Sequence, residues 1–265
     1  MKRLIQIGLS VAMLGVAALS LADTAISIAQ VKTLKINRDL SEEGKACITC
    51  HQQVSPGQVA DWADSRHAHA GISCIDCHAV PEDAPHAMRH ANVEDTPVFV
   101  SPLVSPDVCG RCHIDAKQQF DSSGHFRAYR QIIPKDSLHA LQEVHEGRSH
   151  PEFSGAPGET GCMQCHGTEI KLDENNRPTP ETWPNNGMGN IYPDGSTGSC
   201  TACHSRHKFS IAEARHPHAC ASCHLGPDHP NIEIFENSKH GQLYNTEGDE
   251  WKMDSAPDAW EPGDY

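Results

Sequence analysis

Apolar positions recur at helical spacing, without internal proline, in three stretches of the chain. These stretches cover residues 115–131, 136–146 and 232–243, and the period predicts a helix in each. Two other stretches, residues 147–161 and 175–198, are rich in Gly and Pro, which indicates loops. Strand-like alternation has little support anywhere in the chain. The pattern therefore predicts a mainly α protein with much irregular loop and almost no sheet.

The N-terminus carries the one long apolar run. Lys2 and Arg3 precede this run over residues 4–21, and small residues at its end match a cleavage site. A membrane anchor is the alternative, because the run approaches the length that spans a bilayer. The cleavage site favours a secretory signal peptide over residues 1–22. We therefore expect an exported, periplasmic protein whose mature domain covers residues 23–265.

The pentapeptide Cys-x-x-Cys-His recurs six times and uses all twelve cysteines. The cysteine pairs are Cys47/Cys50, Cys74/Cys77, Cys109/Cys112, Cys162/Cys165, Cys200/Cys203 and Cys220/Cys223, and the histidines that follow them are His51, His78, His113, His166, His204 and His224. Two thiols at this spacing add to the two vinyl groups of one haem, and the adjacent imidazole ligates its iron. Zinc ribbons and disulfide scaffolds also pair cysteines, but neither requires His after every second cysteine. The repeat predicts six covalently attached haem c groups.

The composition leaves room for these cofactors. Only 37% of the residues are hydrophobic and 5% aromatic, which is too few for the ordinary core of a chain this long. Six macrocycles would leave roughly 40 residues each after the signal peptide. We therefore expect a multihaem cytochrome c domain that wraps short helices and loops around closely packed haems.

An aromatic residue, a serine and a histidine recur at one fixed spacing in three places. The three sets are Trp62-Ser65-His67, Phe120-Ser123-His125 and Phe235-Ser238-His240. On one continuous helix, positions i and i+5 lie about 140° apart, so the aromatic ring would flank a macrocycle while the imidazole reaches the metal. We predict His67, His125 and His240 as second axial ligands. Other histidines, among them His86 and His90, are compatible with ligation or with bonding to propionates or solvent.

The net charge is −14 with His neutral. Such an acidic chain argues against nucleic acid as a partner and favours a basic or locally complementary redox protein. The alternative interpretation is that the charge only keeps an exported protein soluble, and charge alone does not separate the two.

The stretch that begins at Cys200, CTACHSRHKFSIAEARHPHACASCHLGPDHPNIEIFENSKHG, resembles octahaem hydroxylamine oxidoreductase. The resemblance extends through SRHAHAGISCIDCHAVPEDAPHAMRH, CGRCH and HPEFSGAPGETGCMQCHGTEI, and so covers nearly the whole mature chain. Pentahaem nitrite reductases share part of the haem arrangement. Their catalytic motif ends in Lys, however, and no Cys-x-x-Cys-Lys occurs here.

The resemblance implies that the fourth haem is catalytic. Cys162 and Cys165 would hold it, and His166 would be its proximal ligand. Asp228 and His229 match the distal pocket of the family, where a carboxylate and an imidazole can accept protons from the substrate. Their alternative role is a structural cap on the loop before Pro230. The other haems would pass electrons to a cytochrome partner.

The chain departs from the family in its number of motifs. Members of the family carry eight haems, and six motifs occur here. The resemblance implies that haems 7 and 8, the remaining distal-pocket tyrosine, the crosslinking tyrosine and the helices that form a homotrimer lie in the part that the chain lacks. We therefore expect either a fragment of a longer protein, inactive alone, or a genuinely shortened relative, and no residue here is assigned the crosslink.

Two functions remain open from the sequence. The first is an enzyme that oxidises hydroxylamine to nitric oxide or nitrite at the fourth haem, or a reductive relative that reduces nitrite or hydroxylamine. The second is a non-catalytic hexahaem electron carrier in which every iron has two histidine ligands. The spin state of the irons would distinguish them.

Overall fold

The computed structural model describes residues 36–90, 97–132, 162–227, 229–256, 259, 261 and 264. The proposed signal peptide, the helix predicted over residues 136–146, the loop predicted over residues 147–161 and Asp228 lie outside the described residues. None of the described segments forms a helix that is long and apolar enough to cross a membrane.

Short helices make up most of the regular structure. The α-helices are α1 (Glu42–Val54), α2 (Pro56–Ala63), α3 (Arg66–His69), α4 (Cys74–His78), α5 (Pro106–Gly110), α6 (Ile114–Ser122), α7 (Ala128–Ile132), α8 (Cys162–His166), α9 (Ile211–Arg215), α10 (Pro217–Ala221), α11 (Asn231–Glu236) and α12 (Lys239–Glu247). Turns of 3-10 helix cover His125–Arg127, Cys200–Ala202 and Gly248–Glu250. The expectation of a mainly α protein with much irregular loop is confirmed.

A two-stranded antiparallel sheet is the only sheet in the part of the chain that the structure describes. It pairs β1 (Met88–Arg89) with β2 (Phe99–Val100). The residue after β2, Ser101, donates its N–H to the carbonyl of His78 at 2.9 Å. The sheet therefore supports the second motif, and the prediction of almost no sheet is confirmed.

The helices predicted over residues 115–131 and 232–243 are each interrupted at a serine. Ser123 separates α6 from the next 3-10 turn, and Ser238 separates α11 from α12. The Oγ atom of Ser238 accepts a hydrogen bond from the N–H of Gly241 at 3.1 Å. A serine that satisfies the free N–H groups of a new helix favours a helix start over continuation. The prediction of continuous helices is wrong at both points.

Buried apolar side chains are few in the described residues. Leu103, Ile170 and Tyr192 form one small cluster, with Leu172 and Trp183 packed against it. This cluster is small for a chain of 265 residues, because ordinary domains of this size bury a far larger apolar core. The sparse core agrees with the composition.

The irregular segment over residues 167–199 is organised around buried polar groups. Asn190 is fully buried; its Oδ1 accepts the N–H of Thr168 at 3.0 Å, and its Nδ2 donates to the carbonyl of Asn185 at 3.1 Å. Buried amides need such partners, so this network fixes the backbone without helix or sheet. The segment links the fourth motif to the fifth and fixes the backbone that leads to Cys200.

Candidate functional site

Three of the haem motifs lie entirely within α-helices. Helices α4 and α8 consist of the second and fourth motifs themselves, and α1 contains the first, with Cys47 and Cys50. Residues three apart lie on one side of a helix, so one turn of α1 or of α4 points both of its cysteines the same way. On α4, the carboxylate of Asp76 accepts the N–H of Ser73 at 2.8 Å and also pairs with Arg38. This capping arrangement stabilises the short helix between its two cysteines.

The third motif differs, because its second cysteine lies outside the helix that carries the first. Helix α5 ends at Gly110, and Cys112 lies in the turn that follows it, half-buried. The N–H of Cys112 donates to the carbonyl of Cys109 at 3.1 Å, and Cys203 makes the same bond to Cys200 at 3.3 Å. A hydrogen bond over three residues is a 3-10 turn, in which the first and fourth side chains eclipse. The two thiols of the motif therefore still lie on one side, and haem attachment at Cys112, as at the other cysteines, stays a prediction.

Three of the motif histidines, His78, His166 and His204, form a hydrogen bond from the ring to the backbone. Nδ1 of His78 lies 2.7 Å from the carbonyl oxygen of Ser101, and Nδ1 of His166 lies 2.9 Å from that of Ala128. The ring of His204 is likewise bonded to the backbone of Ser210. A donated Nδ1–H fixes the tautomer and leaves Nε2 as the nitrogen that can ligate a metal.

Four motif histidines face a second histidine from elsewhere in the chain. The distances between ring centroids are 6.2 Å for His51 and His90, 5.9 Å for His113 and His67, 6.3 Å for His78 and His207, and 6.0 Å for His224 and His125. Two imidazoles on opposite sides of one metal keep their centroids about 6 Å apart, because each metal–nitrogen bond is about 2 Å long. These four pairs fit an iron held between two imidazoles.

The structure places two of the three predicted second ligands opposite a motif histidine. His67 faces His113, and His125 faces His224. His240 is exposed, and the described residues show no ring contact between it and a motif histidine. Iron ligation by all three stays a prediction.

Sequence reasoning left His90 open between ligation and other roles and did not single out His207; the two face the first and second motif histidines. His90 lacks the aromatic-serine pattern. His207 follows the motif histidine His204 by three residues. Two rings on so short a segment cannot face one another across one iron. The spacing was therefore an available signal that His207 belongs to another site.

The aromatic-serine-histidine pattern is a corner between two helical segments. In each case the serine N–H donates to the carbonyl of the aromatic residue, at 2.9 Å for Ser65 and Trp62. The Oγ atom of Ser65 then accepts the N–H of Ala68 at 3.1 Å and caps α3. The histidine therefore lies in the first turn of the new helix. The interpretation that the aromatic and the histidine share one helix is wrong.

Burial favours the neutral form of several histidines at the motif sites. It lowers the pKa of His67, His113, His204 and His207. Only neutral imidazole has a free lone pair for a metal, so low pKa values favour ligation at neutral pH.

The attachment sites follow one another through space in an order that differs from the sequence. Burial and then the nearby thiol of Cys109 raise the pKa of Cys77 to about 11, and Cys109 in turn shares a hydrogen bond with Cys200. Burial and then the neighbouring thiols of Cys220 and Cys223 raise the pKa of Cys203. The third motif is therefore adjacent to the second and the fifth, and the fifth to the sixth.

The fourth motif lies beside the sixth. Sγ of Cys165 is 3.9 Å from the carbonyl oxygen of Ser222, and the ring of His229 is 6.5 Å from that of His166 and 6.1 Å from that of His224. Sequence reasoning had assigned His229 to the fourth site, and the structure places it at the junction of the two. Its neighbour Asp228 lies outside the described residues.

Two buried nitrogens supply a further test of the fit to haem. Among the described residues, Nδ1 of His86 and Nη2 of Arg206 have no hydrogen-bond partner within the protein. His86 lines a cavity of about 190 Å³ together with Cys77 of the second motif. Arg206 directly precedes His207, which faces that motif. Buried polar groups need partners, and haem propionates are acceptors of the kind that a guanidinium binds. The residues present therefore fit the cofactor.

Two models of multihaem cytochrome families match the chain. The family described as cytochrome c554 and c-prime matches residues 17–79 and 108–189, which together make up more than half of the chain. The family described as seven times multi-haem cytochrome CxxCH matches residues 194–264. Between them the two matches include all six motifs.

Relatives are also multihaem or nitrogen-redox proteins. A probable nitrite reductase-hydroxylamine oxidoreductase fusion protein of Kuenenia stuttgartiensis is 27% identical over 238 residues, which cover 78% of this chain and 22% of that protein. A solved structure described as a hypothetical multiheme protein has a TM-score of 0.69 at 29% identity, and the match covers 89% of this chain and 52% of that one. A reducing HAO-like protein complex of Kuenenia stuttgartiensis has a TM-score of 0.49 at 23% identity, covering 84% and 39%. The chain thus spans about a fifth of the curated relative and about half of the first structure.

Proposed function

We infer, because the chain belongs to the cytochrome c554 and c-prime family of multihaem cytochromes, that each of its six Cys-x-x-Cys-His motifs holds one haem c. Haem c supplies one-electron redox chemistry when it is bound. The cysteines of each motif would hold the macrocycle and the adjacent histidine would ligate the iron. His67, His90, His125 and His207 supply the second ligands at the third, first, sixth and second sites.

The function that we propose is oxidation of hydroxylamine to nitric oxide or nitrite at the fourth site, in the periplasm. The position of His229 carries this proposal. Oxidation of hydroxylamine to nitric oxide releases one proton with each electron, so the substrate needs a base beside it. The imidazole of His229 lies 6.5 Å from His166 between ring centroids, and a neutral imidazole so close to the fourth site can accept a proton from the substrate. Asp228 is proposed as its carboxylate partner.

The remaining sites are proposed to carry electrons from the fourth motif to a cytochrome acceptor. The contacts between motifs give an order of fourth, sixth, fifth, third, second and first. The first motif stands at the far end of this order, and Cys50 is exposed there. We therefore place the docking site of the acceptor at α1. The homotrimer remains a prediction from the family resemblance.

The reverse reaction, reduction of nitrite or hydroxylamine, remains a proposal for the same site. It is supported by the similarity to a protein described as a nitrite reductase-hydroxylamine oxidoreductase fusion. The same residues would serve, because a base that accepts protons during oxidation donates them during reduction.

A non-catalytic electron carrier is the second candidate function. The four histidine pairs with centroids 5.9–6.3 Å apart favour it, since two histidine ligands leave an iron no position for substrate. If all six sites are of this kind, the fourth site also has a second histidine ligand, and His229, 6.5 Å from His166, has no role as a base.

Stopped-flow mixing with hydroxylamine separates these functions. The chain is matured in a host that attaches haem c, loading is checked by intact mass, and haem reduction is followed by absorbance. We expect reduction in the wild type, loss of it in His166→Ala with the other haems attached, and a rate lowered by at least about 10-fold in Asp228→Asn or His229→Gln. The matched control is His69→Gln, since His69 is exposed, and it should reduce at the wild-type rate.

The outcomes assign the function. A high-spin iron signal together with hydroxylamine-dependent reduction supports the enzyme. Six purely low-spin irons and no reduction support the carrier. Reduction that His166→Ala leaves unchanged would contradict the assignment of the fourth site, and reoxidation of reduced protein by nitrite would favour the reductive direction.

A further inference from the structure

The turn over residues 204–210 reaches three of the attachment sites at once. His204 belongs to the fifth motif, His207 faces the histidine of the second motif, and Phe209 packs on His67 at the third site. A single short turn is therefore in a position to fix side chains at three sites.

The backbone of this turn is strained. His207 has φ of 70° and Phe209 has φ of 49°. The left-handed region is disfavoured for a non-glycine residue, and an aromatic residue there is an outlier. Such conformations persist only where the surrounding contacts hold them, and they cluster at functional sites.

A polar clamp holds the turn in this conformation. The N–H of Phe209 donates to the carbonyl of Ser205 at 2.8 Å. The hydroxyl of Ser205 donates to the carboxylate of Glu213, which also pairs with Lys208 at 2.9 Å. The N–H of Glu213 donates to the Oγ atom of Ser210 at 3.1 Å and caps α9. The turn is thus tied to the first residues of α9 from several directions.

The clamp places the ring of Phe209 edge-on against an imidazole. The centroids of Phe209 and His67 lie 4.9 Å apart, with the ring planes 87° apart. A half-buried ring at this distance leaves the imidazole little freedom to rotate about its metal-facing axis. The planes of His67 and His113 are 83° apart, whereas those of His78 and His207 at the second site are only 28° apart.

The angle between two axial imidazoles has an electronic consequence at a low-spin ferric iron. Parallel rings act on the same iron d orbital and separate it in energy from its neighbour, which gives a rhombic EPR signal. Perpendicular rings act on different orbitals and leave them close in energy, which gives a highly axial signal at low field. Orientation of a ligand by its neighbours is one of the means by which a protein tunes a metal.

We propose that Phe209 is a positioning residue that holds the imidazole of His67 perpendicular to that of His113 and makes the third haem site electronically distinct from the second. The proposal rests on the haem inferred at the third motif. The strained turn is the device that sets this orientation, since a relaxed backbone would carry the ring of Phe209 away from His67.

EPR of the oxidised, fully loaded chain tests the proposal. The wild type should show at least one highly axial low-spin signal, which is assigned to the third site by its loss in His67→Met. In Phe209→Leu this signal should move to higher field and become more rhombic. Phe209→Tyr keeps an aromatic ring and should show the same signal as the wild type. Glu213→Gln loosens the clamp without removing the ring and should shift the same signal by a smaller amount.

The control is Phe99→Leu in β2, because the described residues show no ring contact between Phe99 and a histidine; it should leave the axial signal in place. An axial signal that is identical in Phe209→Leu and the wild type overturns the proposal. A mass deficit of one haem in the wild type itself would instead refute the proposed cofactor at the third motif. If Phe209→Leu does not load fully, the shift in Glu213→Gln decides, and its absence also overturns the proposal.

Discussion

Gly71 ends the helix that carries His67, and its replacement by alanine should destabilise the third site. Gly71 has φ of 74°, a conformation that glycine adopts freely. The N–H of Gly71 donates to the carbonyl of Ala68 at 3.0 Å, and that of Ile72 donates to the carbonyl of His67 at 2.9 Å. This is the glycine-dependent end of a helix. The turn fixes the backbone of His67 directly.

The magnitude of Gly71→Ala follows from two effects. A non-glycine residue at this φ costs roughly 1–2 kcal/mol. The added Cβ would also lie 1.9 Å from the carbonyl oxygen of Arg38, so the Arg38 segment must move. That movement would weaken the hydrogen bonds from Arg38 N–H to Ala70 and from Nε to Gly71, which contribute about 1 kcal/mol each. We expect a loss of about 2–4 kcal/mol in the free energy of unfolding.

Thermal and denaturant unfolding of the loaded protein measure this loss. A change of about 2–4 kcal/mol corresponds to a fall in Tm of roughly 5–15 °C for a domain of this size. The control is Gly57→Ala in α2, where an added Cβ has nothing within 4 Å and alanine is the better helix former; it should be neutral or stabilising. Equal stability of Gly71→Ala and the wild type would refute the reasoning.

Two further changes test the caps around the motifs. Asp76→Asn should lower the free energy of unfolding by about 1–2 kcal/mol at pH 7. Burial raises the pKa of Asp76, but the N–H of Ser73 and the guanidinium of Arg38 outweigh burial and hold the pKa below its ordinary value. A carboxyl group whose pKa is lowered in the folded state stabilises the protein above the unfolded pKa of about 4, and this stabilisation is lost as pH falls through the folded pKa. Denaturant unfolding should therefore show the difference in stability between Asp76→Asn and the wild type at pH 7 and little of it near pH 2. A difference that is constant with pH would contradict the ionic part of this account. Ser65→Ala should cost about 1 kcal/mol through loss of the cap on α3, and Ser65→Asp should retain most of the stability; equal loss in both variants would show that the cap is not the cause.

The haem motifs could be predicted from the sequence because their chemistry is local. Two cysteines and a histidine must lie on one turn to reach one macrocycle, so the spacing alone predicts the site. The kind of turn was not predictable in the same way, since Cys112 lies beyond the end of α5 whereas Cys77 lies within α4. The mainly α fold followed from the same short-range signals. His67 and His125 were found through a corner that recurs in sequence, although the interpretation of that corner as one helix was wrong.

The facing histidines could not all be predicted, since they are set by tertiary packing. His90 and His207 come from segments remote from the motifs they face. No local pattern distinguishes His90 from an exposed histidine such as His69, and the spacing of His207 from His204 does not show which motif His207 faces. The serine corners were misread for a related reason. A helical apolar period continues across Ser123 and Ser238, and only the hydrogen bonds of the serine side chains interrupt the helix.

Short helices and strained turns follow from a fold whose core is supplied by cofactors. A chain with so few buried apolar side chains gains little from long helices, because helix stability in proteins comes mostly from packing an apolar face. Binding a group only in the folded state stabilises that state in proportion to its affinity, and a covalent attachment cannot dissociate. Positive φ at His207 and Phe209 is therefore tolerated beside the proposed haem sites. The same dependence predicts that these turns relax first when haem attachment fails, and the polar segment over residues 167–199, which is held by its own amides, relaxes last.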